Sequence, residues 1–289
     1  GTHTETYVVT DMSGNTAICS FTITVNDTRD PFITCPADVT VGTDPSFGCT
    51  ASVPLQPTFG DNCNVVSVSH YFSNGTNAPS QLPSGAVSAA TAAAGFTSGL
   101  FYPGVNGVSG TTVVTFIATD VAGNTSSCSV NVTVVDDDAP FIMCPIDITL
   151  NANATCQGVL SAPYAPMVAD NCGGAGLTVT YVIEGATTAS SAATGVNPVP
   201  VTQTFNLGVS FITFTVTDAA GNTAKCTATV TVLDRTAPVL TCPTVQPVYN
   251  TPANQCFVAL NLVATATDNC SVASINYFNP SFNAGANAS

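Results

Sequence analysis

Four cysteine positions that recur in a fixed order constrain this chain more than any other feature. Each repeat carries a Cys-Pro pair, a lone Cys 12 to 14 residues later, an Asp-Asn-Cys triplet, and a Cys just beyond a Thr-Asp-x-x-Gly-Asn motif. These positions are held by Cys35, Cys49, Cys63 and Cys128, then by Cys144, Cys156, Cys172 and Cys226, and then by Cys242, Cys256 and Cys270, with Cys19 in the remaining fourth position. Self-similarity at a nearly fixed period predicts a tandem array of similar units.

The third repeat is divided between the two ends of the sequence. Residues 1–27 carry only its last motif, and residues 235–289 carry the others. We therefore expect complete domains at 28–136 and 137–234, and a split repeat in which residues 1–27 of the next copy complete residues 235–289. Either the sequence is one period of a longer repetitive polypeptide, or one subunit donates strands to its neighbour.

Composition points to an extracellular protein. Twelve cysteines in sets of four predict disulfides in an oxidising compartment, at the cell surface or after secretion. A zinc site is disfavoured because the chain has no Cys-x-x-Cys pair and only two histidines. Three Lys and Arg residues against 17 acidic ones exclude nucleic acid as a partner. We also find no apolar run long enough to span a bilayer.

The hydrophobic pattern has a period of two and predicts strands. Val130, Val132 and Val134 alternate with polar residues, and so do Phe21, Ile23 and Val25. A Gly-Asn pair at 14–15, 123–124 and 221–222 separates two such runs and is typical of a hairpin turn. No segment has a helical face. The pattern predicts an all-β chain of tandem, immunoglobulin-like antiparallel sandwiches.

The order of these motifs resembles the hyalin repeat (HYR) domain. The resemblance rests on Asp-x-x-x-Pro, Cys-Pro, Asp-Asn-Cys and Thr-Asp-x-x-Gly-Asn followed by Cys, and it covers nearly the whole chain. It implies an immunoglobulin-like module, found in tandem in extracellular and bacterial surface proteins, with adhesive or structural roles and no catalysis. The chain departs from the pattern in two insertions rich in small residues, at about 73–110 and 185–208.

Strand geometry suggests a disulfide pairing. A strand runs from the second Cys of a repeat toward the third, which separates these two. The first two flank a hairpin at an even spacing, as cross-strand partners on one face require. We therefore expect Cys35–Cys49, Cys63–Cys128, Cys144–Cys156, Cys172–Cys226 and Cys242–Cys256, with Cys270 bonded to Cys19 of the next copy.

Aspartates recur at three positions in each repeat: after the last strand, in Asp-Asn-Cys, and at the start of the Gly-Asn hairpin. In a sandwich these positions converge where one domain is joined to the next. The predicted sets are Asp27, Asp61 and Asp120; Asp136 with Asp138, Asp170 and Asp218; and Asp234 and Asp268 with Asp11 of the next copy. Converging carboxylates without Lys or Arg repel one another, and a bound Ca²⁺ would neutralise this repulsion. The alternative is that each Asp only caps a turn through its backbone.

The chain contains no catalytic motif, so we expect no enzyme. We expect head-to-tail copies of the same chain as partners, with lateral contacts between arrays and with glycans as further candidates. Asn-x-Ser/Thr sequences occur at Asn26, Asn74, Asn124, Asn131, Asn153, Asn269 and Asn287. The predicted function is a structural subunit of a calcium-stabilised, disulfide-bonded extracellular filament; the alternative is the stalk of a cell-surface adhesin.

Overall fold

The computed structural model describes residues 1–44, 48–73, 87–88, 96–104, 109–191, 195, 198–199, 202–244, 253–254 and 262–276. Within these residues the chain forms strands β1 to β22 and no helix, so the all-β prediction is confirmed. Most of the insertion at 73–110, part of that at 185–208, and Cys256 lie outside the described residues.

The chain divides into two compact units. The first comprises Gly1–Pro140 with Ala169–Gly176 and Asp218–Asn222, and the second comprises Phe141–Val168, Leu177–Thr217 and Thr223–Ser289. The two short segments in the first unit are the Asp-Asn-Cys loop and the Gly-Asn turn of the second repeat.

The first unit contains a two-stranded hairpin followed by a sandwich. Its strands are β1 (Thr2–Thr10), β2 (Thr16–Thr24), β3 (Phe32–Thr34), β4 (Val39–Gly42), β5 (Ala51–Leu55), β6 (Thr58–Gly60), β7 (Val65–Ser73), β8 (Val87–Ser88), β9 (Phe96–Phe101), β10 (Gly110–Asp120) and β11 (Thr125–Val135). One sheet has the order β4-β11-β10-β7-β8, and β3-β6 and β5-β9 form further pairs. Strand β4 runs parallel to β11, whereas β7 and β11 run antiparallel to β10.

The core of this sandwich lies between the five-stranded sheet and the β5-β9 pair. The inward residues of β11 are the predicted ones, since Val130, Val132 and Val134 are at most 1% exposed. They pack with Phe116 of β10 and Phe101 of β9. β-Branched residues on alternate positions therefore bury one face of the sheet, as the period of two requires.

The second repeat folds in the same way. Its strands and those that follow are β12 (Phe141–Met143), β13 (Ile148–Asn151), β14 (Gln157–Val159), β15 (Met167–Ala169), β16 (Thr178–Gly185), β17 (Ala189–Ser190), β18 (Thr204–Asn206), β19 (Gly208–Thr217), β20 (Thr223–Leu233), β21 (Val239–Thr241) and β22 (Thr265–Thr267). The order β13-β20-β19-β16-β17 matches that of the first sandwich. Ile212, Phe214 and Val216 of β19 are fully buried, as the alternation predicts.

The Gly-Asn turns close three equivalent hairpins, β1-β2, β10-β11 and β19-β20. In each, only the glycine takes a positive φ: 87° at Gly14, 95° at Gly123 and 100° at Gly221. A residue with a Cβ is disfavoured there, which explains the glycine. The asparagine keeps a negative φ and contributes instead through its side chain, which donates to the aspartate that opens the turn.

Candidate metal centre

Aspartates from two of the three expected positions, the one after the last strand and the one in Asp-Asn-Cys, meet at three places in the described residues. In each group, one carboxylate oxygen from each Asp and one cysteine sulfur lie within 4.8 Å of one another. The groups are Asp27, Asp61 and Cys63; Asp136, Asp170 and Cys172; and Asp234, Asp268 and Cys270. The first two lie within the first compact unit and the third within the second.

The Asp136 group is the most enclosed. Asp136 follows β11 and is 6% exposed. Burial raises its pKa above the ordinary value, and the negative charges of Asp170 and Asp218 raise it further, against a hydrogen bond from the Asp138 N–H that lowers it. The group therefore holds buried negative charge that needs a counter-charge.

Several oxygens of this group point inward without a donor. Asp136 Oδ2, Asp170 Oδ2 and Asn171 Oδ1 are buried and accept no hydrogen bond from any described residue. Buried polar atoms are normally paired, because an unpaired one costs about 1–3 kcal/mol. Three such oxygens around one loop junction fit a hard cation that accepts oxygen ligands.

Neutral donors hold the other carboxylate oxygens of Asp136 and Asp170, and one oxygen of the neighbouring Asp138. The Thr43 hydroxyl donates to Asp138 Oδ2 at 2.9 Å and lies 3.3 Å from Asp136 Oδ1. Asn171 Nδ2 donates to the same Asp138 oxygen at 2.9 Å, and the Cys172 N–H donates to Asp170 Oδ1 at 2.9 Å. These bonds orient the carboxylates and leave their charge uncancelled.

The hairpin aspartates have a different role. In the β19-β20 turn, Asp218 accepts the N–H groups of Gly221 and Asn222 at 2.7 and 2.8 Å and the Asn222 Nδ2 group at 3.0 Å. Asp120 and Asp11 accept equivalent bonds from Asn124 and Asn15. All three therefore cap their own turns, the role that the turn-capping alternative describes.

The turn asparagines connect these caps to the acidic groups. Asn222 Nδ2 donates to the Asp136 carbonyl at 3.0 Å, and Asn124 Nδ2 donates to the Arg29 carbonyl at 3.1 Å. Asp218 thus acts on the Asp136 group through Asn222 and through its charge. Sequence reasoning assigned these asparagines to the turn, and Asn124 also to a glycosylation sequence. It missed Thr43 altogether, since a threonine after a strand carries no distinguishing signal.

The Asp27 group differs by having a free thiol. The backbone N–H of Arg29 donates to Asp27 and lowers the pKa of this carboxyl. The adjacent Asp27 carboxylate raises the pKa of the Cys63 thiol, first through a hydrogen bond and then, after burial, through its charge and those of Asp61 and Asp120. Cys63 is thereby kept as a neutral thiol, a poor ligand for a hard cation.

The third group repeats the pattern of unpaired oxygens. Asp268 Oδ2 and Asn269 Oδ1 are buried without a donor among the described residues. Asp268 Oδ1 accepts the Cys270 N–H at 2.8 Å, and Asp234 Oδ1 accepts the Thr236 N–H at 3.0 Å. The Asp-Asn-Cys triplet therefore positions one Asp and one Asn oxygen in the same way in two successive repeats.

The disulfides correct the expected pairing. The expected bonds joined the first cysteine to the second and the third to the fourth. In the structure, the first cysteine bonds the fourth of the same repeat, and the second bonds the third of the following repeat. The bonds are Cys35–Cys128, Cys144–Cys226, Cys49–Cys172 and Cys156–Cys270. Cys19, Cys63 and Cys242 carry free thiols in this chain.

The reason for the error lies in two assumptions. Cys35 follows β3, whose residue Ile33 packs on the core, and this places Cys35 against Cys128 of β11 rather than across a hairpin from Cys49. The expectation also treated each repeat as closed, whereas Cys49 reaches the Asp-Asn-Cys loop of the next repeat at Cys172.

Some glycosylation sequons have their amide nitrogen engaged. Asn131 Nδ2 donates to Asp38 Oδ2 at 2.9 Å, and Asn124 Nδ2 donates to Asp120 Oδ2 at 2.7 Å. Attachment of a glycan at either nitrogen would disturb these bonds. Asn74 and Asn287 lie outside the described residues, and glycosylation stays a prediction.

Comparison with known proteins finds two sea-urchin relatives. The chain is 30% identical over 251 residues to hyalin of Lytechinus variegatus, and 28% identical over 254 residues to hyalin of Strongylocentrotus purpuratus. Each match covers 84% of this chain. These matches confirm the resemblance to the hyalin repeat. It spans 39% and 17% of the length of these relatives. No protein-family model matches it.

Solved structures add little to this comparison. A protocadherin gammaB7 EC3-6 cis-dimer is 14% identical with a TM-score of 0.34, covering 92% of this chain and 68% of that one. Drosophila N-cadherin EC1-4 is 15% identical with a TM-score of 0.29, covering 84% and 61%. Both scores are too low to support an argument.

With four disulfides and its similarity to hyalin, the chain is an extracellular or cell-surface protein. No helix in the described part of the chain is long and apolar enough to cross a membrane.

Proposed function

We propose that this chain is a structural, non-catalytic extracellular protein that binds Ca²⁺ where successive repeats are joined and associates with copies of itself into a fibre. The observation that carries the proposal is the set of buried, unpaired oxygens on Asp136, Asp170 and Asn171. In this proposal residues 28–136 and 137–234 are the complete domains, and Ca²⁺ stabilises the linking segment between them.

The chemistry of the donor set supports Ca²⁺ over other metals. The Cys172 sulfur belongs to a disulfide, so the group offers the oxygens of Asp136 and Asp170, to which the buried, unpaired Oδ1 of Asn171 can be added. Carboxylate and amide oxygens suit a hard cation, and Ca²⁺ accepts six to eight of them in relaxed geometry. Backbone carbonyls and water would complete the shell.

Calorimetric titration of metal-stripped protein tests the ion. We expect Ca²⁺ binding that weakens at least about tenfold in Asp170→Asn, because one charged ligand is lost. Glu184→Gln, an exposed strand residue with the same change of charge, is the matched control. Unchanged Ca²⁺ affinity in Asp170→Asn, or no binding by the parent protein, would refute the metal centre.

Electron microscopy of native material tests the fibre. Filaments that soften or separate when Ca²⁺ is chelated, and recover when it is restored, are the expected result. Filaments indifferent to chelation would leave only disulfides and strand pairing to hold them. Ca²⁺ binding without filaments in either sample would instead favour the adhesin-stalk alternative.

A further inference from the structure

The outward face of the second five-stranded sheet carries two charged side chains among neutral ones. Ile183, Ile212 and Val230 point into the core and are at most 1% exposed, so their neighbours along β16, β19 and β20 face outward. Most outward positions of these three strands are threonine, and only Glu184 of β16 and Lys225 of β20 are charged. Both are exposed, and Lys225 is the only lysine of the chain.

The register of the sheet places these two charges symmetrically about Thr213. Glu184 lies opposite Phe211 and Lys225 lies opposite Thr215, one on each side of the central strand β19. Phe211 and Thr215 are each two residues from Thr213, in opposite directions along that strand. The two charges are therefore equally far from Thr213 and diagonal to it. Strand spacings put them roughly 17 Å apart, too far for an ion pair within one chain.

This arrangement is complementary to itself. Consider two copies face to face, with a two-fold axis that passes between their Thr213 residues, at right angles to the line joining the two charges. Each Lys225 then lies over Glu184 of the other copy. A two-fold interface repeats every contact, so two equivalent ion pairs form. Such pairs favour one relative orientation of the two copies over others.

Apolar side chains on the same face add contact area. Val182 and Phe211 are each 49% exposed, and Val209 is 43% exposed. Phe211 lies beside Glu184 in the register, so the ammonium group of Lys225 from the other copy meets an aromatic ring as well as a carboxylate. Burial of these side chains contributes affinity that exposed ion pairs alone do not provide.

The corresponding face of the first sandwich has no such charge pair. When the two sandwiches are aligned on their last cysteines, Ser127 of β11 holds the register position of Lys225, and Ser73 of β7 holds that of Glu184. Both residues are neutral. The charged face is therefore a property of the second sandwich and not of the general repeat pattern.

The charge of the whole chain restricts where two copies can approach each other. The formal net charge is −14 at pH 7, so most surfaces of one copy repel those of another. The outward surface of β16, β19 and β20 carries one charge of each sign and has no net charge. Contact there avoids the repulsion and gains two attractive pairs.

We infer that two copies of the chain pack through this face of the second sandwich, with Lys225 of each copy paired to Glu184 of the other and with Phe211 buried between them. The inference rests on the self-association in the proposed function and names one of its interfaces. The partner is a second copy because the charge pattern of the face matches its own two-fold image.

Charge reversal in the full chain tests the interface by sedimentation velocity at low ionic strength in chelator. The parent chain should form reversible dimers. Glu184→Lys and Lys225→Glu should each weaken dimerisation at least about tenfold, because like charges then meet. An equimolar mixture of the two variants should form mixed dimers, and the double variant should dimerise like the parent. Ser127→Glu, at the matching position of the first sandwich, is the control and should also dimerise like the parent.

The variants should unfold at the same temperature as the parent, because both side chains are exposed. Crosslinking then identifies the contact directly. A carbodiimide joins a lysine amine to a carboxylate that touches it, and the chain has one lysine. Peptide mapping of dimers formed from normal and heavy-nitrogen chains should recover Lys225 joined to Glu184 of the other copy. Glu184→Gln should abolish this crosslink.

Other outcomes would overturn the inference. A parent chain that stays monomeric up to about 1 mM has no such interface. Stronger association of Glu184→Lys with weaker association of Lys225→Glu would show that only net charge matters. Unchanged dimers in both variants would place the contact elsewhere. The face contains no aspartate of the acidic groups, and fibres are scored separately by electron microscopy, so failure of this interface and failure of the proposed function are distinguishable.

Discussion

At the residue scale, the acidic groups combine carboxylates that cap turns with carboxylates that face inward. Sequence reasoning could predict which aspartates converge, because Asp136 and Asp170 flank loops at one end of a sandwich. It could not separate their roles. The hairpin position places Asp218 within reach of three donors of its own turn, whereas Asp136 Oδ2 and Asp170 Oδ2 find none in the described residues.

Asp136→Asn should change stability in opposite directions with and without Ca²⁺. In the native, metal-free protein the pKa of Asp136 is raised above 3.8. The native state therefore binds this proton more tightly than the unfolded state, and stability falls as the pH rises from about 4 through the raised pKa. Removing the charge should raise the Tm by a few degrees at pH 7 in chelator, and by less near pH 4.

With Ca²⁺ present, the same substitution should lower the Tm, because the metal loses a ligand. Thermal denaturation of both proteins at pH 4 and pH 7, with chelator and with Ca²⁺, checks this. A Tm that falls in chelator at pH 7 would mean that Asp136 stabilises the fold without metal.

At the element scale, one hairpin pattern occurs in a covered and an uncovered form. The alternation of Phe21, Ile23 and Val25 predicts a half-buried strand as clearly as that of Val130, Val132 and Val134. Only the second set is buried. A local pattern specifies which face of the strand is apolar. What packs against that face depends on residues distant in sequence or on another chain.

Phe116→Ala and Tyr7→Ala form a matched pair, because each residue lies opposite the fourth cysteine of its repeat in the hairpin register. Phe116→Ala should lower the free energy of unfolding by about 3–5 kcal/mol, because it leaves a cavity in the core. Tyr7→Ala should change it by less than about 0.5 kcal/mol in the isolated chain, since the side chain is exposed. Urea denaturation at a protein concentration low enough to keep the chain monomeric measures both free energies. Equal losses would mean that the Tyr7 face is already covered within one chain.

The disulfide between β3 and β11 should contribute a large part of the stability of its sandwich. Cys35 and Cys128 are 93 residues apart, and closing a loop of that length restricts the unfolded chain. Replacing both by Ala should lower the free energy of unfolding by roughly 2–5 kcal/mol. Cys19→Ala, which removes only an exposed thiol, is the control, and a loss as large in that variant would contradict the assignment.

At the scale of the whole molecule, the repeats are linked by features that no single repeat contains. The predicted partners of the second and third cysteines were wrong for this reason, since each repeat was treated as closed, whereas Cys49 bonds Cys172 of the next one. Motif order was enough to predict the sandwich and its turns. The bonds between repeats could not be predicted, because no motif within one repeat indicates its partner in the next.

Trypsin provides a whole-chain test of Ca²⁺ at the linking segments. The chain has three sites, at Arg29, Lys225 and Arg235. Arg29 and Arg235 follow Asp27 and Asp234 of two acidic groups, whereas Lys225 lies within β20. Ca²⁺ should slow cleavage after Arg29 and Arg235 at least several-fold, because cleavage requires local opening of the bound segment. Mass spectrometry of a time course measures each site.

Cleavage after Lys225 serves as the internal control, because β20 is held by the sheet with or without metal. Slowing at all three sites alike would indicate an effect on trypsin or on global stability, and not on the linking segments.

The overlapping disulfides also determine how the chain responds to tension. Cys35–Cys128, Cys49–Cys172, Cys144–Cys226 and Cys156–Cys270 enclose sequence segments that overlap one another without a gap from residue 35 to residue 270. A pulling force therefore passes through Cys35 to Cys128, along the backbone to Cys156, and across to Cys270. The shortest covalent path between residues 35 and 270 therefore includes only the backbone from Cys128 to Cys156, which spans at most roughly 100 Å at full extension. Even with its domains unfolded, the chain would therefore extend only slightly under tension, and a covalent bond would break before the domains could extend to their full length.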